Sequence, residues 1–450
     1  MWILIRRSKM TEIRTYESWG RYPRLKAQKI IHLKSRENIP PLNKFSCSVL
    51  PYGLGRSYGD CCLNENGILL DTASLSKIIS LDEKHGILSC ESGVSLADIL
   101  FYIVPRGWFL PVTPGTKFVT IGGAIANDVH GKNHHQAGTF GCHVLRFELL
   151  RSDGQRFICS QDQNKTLFQA TIGGLGLTGL ILWADIQLRP VKCSFIEIER
   201  IRFRNIEEFI DLSSGSDKNY EYTVSWVDCT ARGKYLGRGI FIRGNHADPE
   251  KYEFPKEPKL KQMVFPFDAP SIFLNKLVIQ CFNSVYYNKQ RKKYKQSIEN
   301  YSPFFYPLDA ILKWNKMYGK SGFFQYQCVI PFSNGIGSVK RILSRIAHSG
   351  NASFLAVIKI FSNIPSPGIM SFPRAGITLS LDFPNHGEKT LHFLDNLDKV
   401  VSDAGGALYP SKDARMSPNM FKSSFPNWQQ FTNYIDPKFS SSFWRRVTRS

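Results

Sequence analysis

The first 190 residues contain short apolar runs of the kind that form β-strands, and one run with helical spacing. The runs at 67–71, 78–81 and 86–90 are four or five residues long and rich in Ile and Leu, which favours strands. Residues 95–104 place apolar side chains three and four apart behind Ser95, a good N-cap, and the run stops at Pro105. We therefore predict short strands followed by one helix.

Further strands are predicted around the middle of the chain. Residues 118–121 form a β-type run that leads into Gly122-Gly123. The runs 144–150 and 156–159 flank the turn signal Ser152-Asp153-Gly154, and this arrangement predicts a hairpin. Together these patterns indicate a mixed α+β domain.

Arg189-Pro190 marks a change in character, because aromatic residues then become more frequent and glycine clusters rarer. Strand-like runs follow at 222–227, 239–243, 325–330, 354–361 and 378–383, and helical patterns near 205–212, 337–349 and 389–404. Antiparallel strands with helices on one face form a second α+β domain. We predict a mobile loop at 248–261, continued by the basic aromatic run that extends to Tyr301.

Two glycine-rich segments are candidates for ligand binding. Residues 51–60, PYGLGRSYGD, can point successive backbone N–H groups into a concave nest for an anion such as a diphosphate. Residues 112–141, VTPGTKFVTIGGAIANDVHGKNHHQAGTFG, combine glycines with clustered histidines and suit a flat polar ligand. An ordinary glycine-rich connection and a surface loop with incidental histidines are the structural alternatives.

A third glycine segment has a formal dinucleotide-binding pattern that we reject. Residues 173–179, GGLGLTG, match GxGxxG, and Glu199 lies at a suitable distance for a ribose-binding acid. A dinucleotide fold requires a helix after these glycines, but residues 180–188 alternate polar and apolar positions and predict a strand. A glycine turn leading into a strand fits better.

Composition and charge narrow the function classes. The 450 residues predict two or three domains, and 42% hydrophobic residues are typical of a globular protein. The formal net charge of +21 favours anionic partners. The basic residues are densest at 289–295 and 444–449, and we interpret these runs first as solvated surface charge. The second interpretation is binding to a phosphate group or a membrane surface. Binding to nucleic acid is the third, since no zinc-finger or RNP-like pattern accompanies the runs.

The cysteines and the N-terminal residues indicate the cellular compartment in which we expect the protein. Ten cysteines include no CxxC pair, and Cys61 and Cys62 are adjacent, so we predict a reducing compartment, mostly buried thiols and no metal site. The start MWILIRRSKM is too short for a signal sequence, and no apolar run is long enough to span a membrane.

The three glycine segments together resemble a known family. PYGLGRSYGD, PGTKFVTIGGAIANDVHGKNHH and GGLGLTG resemble the FAD domain of the vanillyl-alcohol-oxidase-type flavoproteins and, within them, the decaprenylphosphoryl-β-D-ribose 2-oxidase group. The likeness continues through SWVDC (225–229), YPLD (306–309), QYQ (325–327) and YPSKDAR (409–415), from about Tyr16 onward. It implies a two-domain FAD-binding fold of this type with an antiparallel-sheet substrate domain.

The resemblance also implies roles for individual residues. The residues it places against FAD are Tyr52, Gly53, Leu54, Gly55, Arg56, Ser57, Tyr58, Gly59, Asp60, Pro114, Gly115, Thr116, Thr120, Ile121, Gly122, Gly123, Asn127, Asp128, His130, Gly131, Asn133, Ile181 and Tyr409. Those it places at the catalytic centre are Lys412, His130, Lys132 and Tyr58, and those that bind substrate are Trp226, Tyr306, Gln325, Gln327, Lys359 and Lys412. Relatives with covalent FAD have a histidine near Tyr58, so the resemblance implies non-covalent FAD. Some mycobacterial members have a cysteine where this chain has Ser380 or Leu381.

The implied activity is FAD-dependent oxidation of the 2-hydroxyl of a polyprenylphosphoryl-β-D-ribose, the first half of an epimerisation that an NADPH-dependent short-chain reductase completes to give an arabinose donor for cell-wall arabinan. The expected division is an FAD-binding domain at 1–190, a substrate domain at 191–404 and a returning segment at 405–450. We expect a cytoplasmic protein with peripheral contact at the inner membrane and no nucleic-acid partner. The alternatives are an aldonolactone or alditol oxidase of the same fold and a non-catalytic basic protein that binds nucleic acid or membrane.

Overall fold

The computed structural model describes residues 15–254, 262–270 and 274–449. The N-terminal stretch MWILIRRSKM and most of the lysine- and proline-rich part of the predicted loop 248–261 lie outside these ranges. Within them, no helix combines the length and apolarity needed to traverse a bilayer.

The strands that the structure describes are β1 (Lys29–His32), β2 (Val49–Tyr52), β3 (Ile68–Asp71), β4 (Ile78–Asp82), β5 (Ile87–Glu91), β6 (Trp108–Phe109), β7 (Val144–Leu150), β8 (Arg156–Ser160), β9 (Leu180–Gln187), β10 (Arg189–Pro190), β11 (Phe195–Phe203), β12 (Tyr222–Val227), β13 (Gly239–His246), β14 (Met263–Val264), β15 (Tyr294–Asn300), β16 (Ile311–Leu312), β17 (Phe323–Ile330), β18 (Ala356–Phe361), β19 (Gly376–Pro384) and β20 (Ala407–Leu408). The α-helices are α1 (Leu96–Ile103), α2 (Ile121–Ala126), α3 (His134–Ala137), α4 (Lys165–Thr171), α5 (Ile206–Ser214), α6 (Lys276–Lys289), α7 (Tyr301–Phe305), α8 (Gly335–Ser349), α9 (Glu388–Asp403), α10 (Pro418–Ser424), α11 (Trp428–Thr432) and α12 (Ser442–Thr448).

The first part of the chain builds two sheets. A parallel sheet has the order β1-β3-β2, and an antiparallel sheet has the order β4-β5-β9-β7-β8. The predicted hairpin is confirmed, since β7 and β8 pair antiparallel. The predicted helix is also confirmed: α1 begins after Ser95, whose Oγ accepts a hydrogen bond from the Asp98 backbone N–H at 3.1 Å.

The strand predicted at 118–121 is wrong. Thr120 caps helix α2 instead, and its Oγ1 accepts a hydrogen bond from the Gly123 N–H at 3.1 Å. The Gly122 N–H donates to the carbonyl oxygen of Ser92 at 2.8 Å, which seats the start of the helix on the antiparallel sheet. A run of four residues cannot distinguish a strand from the first turn of a helix, and here the capping threonine decides.

The rejection of the dinucleotide fold is confirmed. Residues 173–179 form a turn in which Gly173, Leu175 and Gly176 have φ values between 56° and 75°. The chain then enters β9, the central strand of the five-stranded sheet, and not a helix.

The second part of the chain builds an eight-stranded antiparallel sheet in the order β15-β11-β13-β12-β18-β19-β17-β20. Helices α5, α8 and α9 bury their apolar sides in the same core as this sheet, with Phe209, Ile342 and Leu397 almost completely inaccessible. The α+β class and the antiparallel second sheet are therefore confirmed.

Three strands of this sheet were missed, namely β11, β15 and the short β20, and one loop prediction is wrong. Strand β11 was not predicted, and the basic aromatic run up to Tyr301 is not a loop, because it contains α6 and β15. Strand β15 pairs with β11 along its length. The sequence YKQSIEN of this edge strand has no alternation of apolar and polar residues, and its first three residues are exposed, so no pattern marked it as a strand.

The end of the chain packs against its beginning. Phe439 forms an isolated bridge with Val49, and Asp436 accepts a hydrogen bond from the backbone N–H of Ser152 at 2.8 Å. On α12, Arg446 pairs with Asp60 in the first glycine segment. The division into segments 1–190, 191–404 and 405–450 stays a prediction.

Candidate active site

A cavity of about 330 Å³ lies where the glycine segments meet the eight-stranded sheet. Most of the residues that the sequence assigned to cofactor, catalysis or substrate line it. These are Gly53, Leu54, Gly55, Arg56, Ser57, Tyr58, Pro114, Gly115, Thr116, Thr120, Gly122, Gly123, Asn127, His130, Gly131, Lys132, Ile181, Gln325, Gln327, Lys359, Tyr409 and Lys412. Segments that are hundreds of residues apart in sequence therefore contribute to one site.

The first glycine segment is held in a fixed turn between β2 and the C-terminal part of the chain. Gly55 has a φ of 62°, in the left-handed region, and a side chain there would meet the Tyr52 hydroxyl. That hydroxyl donates to the carbonyl oxygen of Glu17 at 2.7 Å. The Tyr58 backbone N–H donates to the carbonyl oxygen of Ser411 at 2.9 Å, which ties this turn to the segment carrying Lys412.

The second glycine segment leaves space and polar groups for a ligand. A Cβ added to Gly115, which lines the cavity, would meet no protein atom within 4 Å. Among the described residues, three cavity-lining side chains have buried polar atoms without a hydrogen-bond partner: Nε of Arg56, Oγ of Ser92 and Oδ1 of Asn127. Buried polar atoms are rarely left unsatisfied, so a polar ligand such as the nucleotide and diphosphate of FAD fits these residues.

Three half-buried lysines, Lys132, Lys359 and Lys412, converge on the cavity from different elements. Burial lowers the pKa of Lys132 to about 8 and that of Lys412 to about 8. Burial, together with the charges of Lys132 and Lys412, lowers the pKa of Lys359 to about 7. The three ammonium groups are thus concentrated in one desolvated space, where a negative charge on a ligand would be strongly stabilised.

His130 is held on both sides of its ring. Its Nε2 lies 2.9 Å from the side-chain amide nitrogen of Gln327, and its Nδ1 lies 3.2 Å from Nζ of Lys359. Lys359 also donates to the carbonyl oxygen of Gly131 at 3.2 Å. Burial and the neighbouring lysine charges lower the pKa of His130 well below its ordinary value, so the imidazole is neutral at physiological pH.

Tyr58 and Lys412 connect the first glycine segment to the reactive end of the cavity. Nζ of Lys412 lies 4.0 Å from the centre of the Tyr58 ring, a cation–π distance. The other side of the site is aromatic as well, since Tyr409 stacks on Phe372 with 4.6 Å between ring centres. The Tyr409 hydroxyl donates to the carbonyl oxygen of Asn127 at 2.8 Å.

Asp382 is a charged neighbour of this site that the sequence interpretation missed. Its Oδ1 accepts a hydrogen bond from Nε2 of Gln325 at 2.6 Å, and burial raises its pKa to about 7. Its negative charge in turn raises the pKa of Lys412 against the effect of burial. A pattern in β19 could have revealed it, because Thr378, Ser380 and Asp382 alternate with apolar residues and share one face.

The same period-two pattern explains how the eight-stranded sheet presents polar groups. Gln325 and Gln327 on β17 lie opposite Asp382 and Ser380 on β19. Ser380 lines the cavity, whereas Leu381 is fully buried in the hydrophobic core. The structure therefore assigns Ser380, and not Leu381, to the position at which the resemblance allowed either residue.

Eight predicted site residues do not line the cavity, because their side chains or backbones have other partners. Tyr52 bonds to Glu17, Gly59 packs against Asp413, and Ile121 is buried in the core. The polar members are fixed by hydrogen bonds: Asp60 to Arg446, Asp128 to Ser366, Ser371 and the Gly141 N–H, Asn133 to the Pro111 carbonyl, Trp226 to the Phe354 carbonyl, and Tyr306 to Thr113. They surround the site and hold its lining residues in position.

Asp309 and Trp19 also contribute to the site, although the sequence interpretation did not assign them to it. Asp309 lines the cavity and accepts a hydrogen bond from the Thr116 hydroxyl at 2.7 Å. Trp19 stacks under the Arg56 guanidinium at 3.9 Å. Both fix residues of the glycine segments; Asp309 ends the YPLD motif, whereas no local motif marks Trp19.

The remaining titratable clusters give no sign of a metal centre or a disulfide. The described residues include no group of three or more His, Cys, Asp or Glu placed to hold a metal ion. All ten cysteines are free thiols, of which five are buried, three half-buried and two exposed. Cys61 lines the cavity, and burial raises the pKa of its thiol to about 12, so it is a poor nucleophile at neutral pH.

Comparison with known proteins agrees with this site. Residues 39–160 match a family model described as an FAD binding domain. The chain is 36% identical to decaprenylphosphoryl-β-D-ribose oxidase of Mycolicibacterium smegmatis over 421 aligned residues. The aligned region covers 89% of each protein. The chain is 31% identical over 373 residues to an uncharacterised protein of Streptomyces coelicolor, covering 79% of this chain and all of that protein.

A shorter match links the chain to lactone-oxidising relatives. L-gulonolactone oxidase of Mus musculus is 26% identical over 172 residues, which cover 38% of each protein. Because the mycobacterial relative matches across nearly the whole length at higher identity, it decides the assignment. The chain therefore belongs to the decaprenylphosphoryl-β-D-ribose oxidase family of FAD-dependent oxidoreductases.

Proposed function

We propose that this protein oxidises the 2-hydroxyl of a polyprenylphosphoryl-β-D-ribose to the 2-keto sugar. The observation that carries the proposal is the set of three half-buried lysines, Lys132, Lys359 and Lys412, around one cavity beside the glycine segments. A phosphorylated sugar is an anionic substrate, and partly desolvated ammonium groups are suited to attract and orient it. The relative from Mycolicibacterium smegmatis is named for a substrate of this class.

The glycine segments would hold FAD, which when bound supplies the acceptor for the hydride. The backbone of Gly53 and Gly55 would face its diphosphate, and Gly115 and Asn127 would approach its nucleotide from the other side. The structure supports this arrangement through the open space at Gly115 and the buried, partnerless Oδ1 of Asn127. No histidine lies in the first glycine segment, and Cys61 stays protonated, so the cofactor would be bound without a covalent link.

Lys412 and Lys132 would act as cations in the reaction. The oxidation moves a hydride from C2 to the acceptor and releases the proton of the 2-hydroxyl to solvent, so negative charge develops at the oxygen and on the acceptor. Lys132, with a pKa lowered to about 8, would donate a hydrogen bond to the sugar oxygen. Lys412, which Asp382 keeps charged, would stabilise the negative charge left after hydride transfer.

His130 would be a positioning residue in this scheme. Its two ring nitrogens already have polar neighbours, Gln327 and Lys359. The ring therefore links the sheet to the glycine segment and keeps Lys359 at the cavity wall. The amides of Gln325 and Gln327 would bind sugar hydroxyls, while Trp226 and Tyr306 would support the pocket from behind.

A panel of reductants tests the proposal. The purified yellow protein is mixed anaerobically with farnesylphosphoryl-β-D-ribose, L-gulono-1,4-lactone or xylitol. Loss of the flavin absorption band at about 450 nm is then followed. Bleaching by the phospho-ribose alone is expected. Bleaching by the lactone or the polyol, but not by the phospho-ribose, would favour the aldonolactone or alditol oxidase. A protein that takes up no flavin would favour a non-catalytic basic protein.

Two partner predictions accompany the activity. The 2-keto product needs a hydride donor to complete epimerisation, so we propose an NADPH-dependent short-chain reductase as the next enzyme. Because the substrate has a polyprenyl chain, we also propose a peripheral contact with the inner membrane from the cytoplasmic side. The division into a cofactor-binding part, a substrate-binding part and a returning C-terminal segment is proposed on the same basis.

A further inference from the structure

Helix α6 exposes an apolar face that no described part of the chain covers. Its inner side is buried through Ile279, Asn283 and Tyr287, which are spaced four residues apart. The opposite side is also apolar: Leu277 is 75% exposed, Val285 62% and Phe282 45%. A surface helix normally turns polar residues to water. An outward stripe of large apolar side chains instead indicates a surface that another body covers.

The exposed face continues onto the neighbouring two-stranded sheet. Met263 and Phe267 are 65% and 59% exposed, and β14 pairs in parallel with β16. Beside β16 in sequence lies Trp314, which lines the cavity and shares a buried cluster with Leu274, just before α6. We call the exposed side chains of residues 263–267 and 277–286 the apolar face. Trp314 thereby connects residues beside the apolar face with the wall of the cavity.

The charged residues in and around helix α6 are all basic. Residues 269–298 contain six lysines and arginines and no aspartate or glutamate. Lys289, Arg291 and Lys292 at the end of α6 are exposed. Lys293 forms an ion pair with Glu208 at 2.8 Å. Exposed apolar side chains flanked by unbalanced basic residues match a helix that lies in the interface of an anionic membrane.

We infer that the apolar face and its basic border dock the protein onto the surface of an anionic phospholipid bilayer. Charge complementarity selects this occupant over a second copy of the chain. A two-fold dimer through this face would bring the two basic borders together, and their repulsion would oppose association. The apolar side chains enter the acyl region, while the lysines and arginines contact lipid phosphates.

Sedimentation with vesicles tests the inference on the full-length, FAD-loaded protein. The vesicles are either pure phosphatidylcholine or equal parts of phosphatidylcholine and phosphatidylglycerol. The wild type is expected to sediment with the anionic vesicles and much less with the neutral ones, and added salt should release it. Replacing Leu277, Phe282 and Val285 together by serine should lower the partition coefficient by about tenfold or more. Replacing Lys289, Arg291 and Lys292 by alanine should have an effect of similar size.

Matched control variants distinguish docking through the apolar face from nonspecific binding to vesicles. Phe101→Ser removes an exposed aromatic side chain on α1, which is 73% exposed, and should bind like the wild type. Alanine at the exposed Lys84, Lys165 and Lys389 removes the same charge elsewhere. Each variant should keep its flavin absorption, which reports an intact fold.

Three outcomes would overturn the inference. The wild type could fail to bind anionic vesicles, or the serine variant could bind them as well as the wild type does. The serine variant could also convert a wild-type dimer into a monomer on size exclusion, which would assign the face to a second copy. A raised KM for long-chain substrate with unchanged vesicle binding would assign the face to the polyprenyl chain and would equally count against a membrane.

Discussion

The ammonium group of Lys412 lies 4.0 Å from the centre of the Tyr58 ring. The contact joins the C-terminal YPSKDAR segment to the first glycine segment, which are some 350 positions apart in the chain. It is reinforced by the hydrogen bond from the Tyr58 N–H to the Ser411 carbonyl. The loop that would bind the cofactor diphosphate and the lysine that would respond to charge on the flavin are thus parts of one rigid unit.

Lys412→Ala should bind flavin normally and lose most of its substrate-driven reduction. The backbone hydrogen bond from Tyr58 to Ser411 still holds the first glycine segment when this side chain is removed, whereas the charge of Lys412 is needed during hydride transfer. We expect the anaerobic bleaching rate to fall about 10²–10³-fold, the usual effect of removing one electrostatic group. Lys389→Ala, at an exposed position, is the control. A Lys412→Ala enzyme with an unchanged rate would remove this residue from the reaction.

The pH dependence should follow the charge of Lys412. With its pKa lowered to about 8, the side chain is charged below that pH and loses its proton above it. The bleaching rate should therefore be high near neutral pH and decline as the pH rises through about 8. Asp382→Asn removes the negative charge that raises this pKa, so the decline should move to lower pH.

Two further variants test whether Lys412 causes the decline in bleaching rate at alkaline pH. Lys412→Arg keeps its charge at all accessible pH values, so any alkaline decline that this variant retains comes from Lys132, whose pKa is also lowered to about 8. Asp162→Asn, in an exposed loop, should have the wild-type profile. If Asp382→Asn left the profile unchanged, the pairing between Asp382 and Lys412 would have no functional role.

Gly115→Val should fold but bind FAD poorly. A side chain at this position meets no protein atom within 4 Å and would extend into the cavity. Gly55 is a worse choice, because its positive φ and the nearby Tyr52 hydroxyl would disturb the loop itself. The measurements are flavin content after purification and the midpoint of thermal unfolding of the apoprotein. Gly337→Val, in open space on α8, is the control. A fully yellow Gly115→Val protein would exclude this position from the cofactor site.

Acid precipitation should release all of the flavin. Tyr58 cannot form a histidyl link, His130 is held between Gln327 and Lys359, and burial raises the pKa of Cys61 to about 12. The supernatant should contain the whole of the flavin fluorescence, with a colourless pellet. A pellet that stays yellow after washing would reveal a covalent bond and would contradict the proposed mode of binding.

The sequence was sufficient to predict those elements that neighbouring residues determine. The N-cap of α1 at Ser95, the hairpin at 152–154 and the strand after GGLGLTG are all set by neighbouring residues, and each was predicted. It failed where tertiary contacts decide. At 118–121 the Thr120 cap and the contact with Ser92 override a β-type run.

The site residues that the sequence did not reveal were missed because tertiary contacts place them there. Gln325, Gln327 and Lys359 were found through a resemblance, yet the alternation along β17 and β19 would have added Asp382. Whether Ser380 or Leu381 faces the cavity depends on strand register, which a single sequence does not fix. Arg446, which pairs with Asp60 and Asp413 from the far end of the chain, leaves no local signal at all.

The most direct test of the central claim uses farnesylphosphoryl-β-D-ribose with deuterium at either C2 or C3. Flavin bleaching is timed in anaerobic single-turnover reactions with each substrate. If the protein removes the hydrogen from C2, the C2-deuterated sugar should bleach the flavin distinctly more slowly and the C3-deuterated sugar at the ordinary rate. Slower bleaching with deuterium at C3 alone, or no bleaching by either sugar, would contradict the proposed reaction.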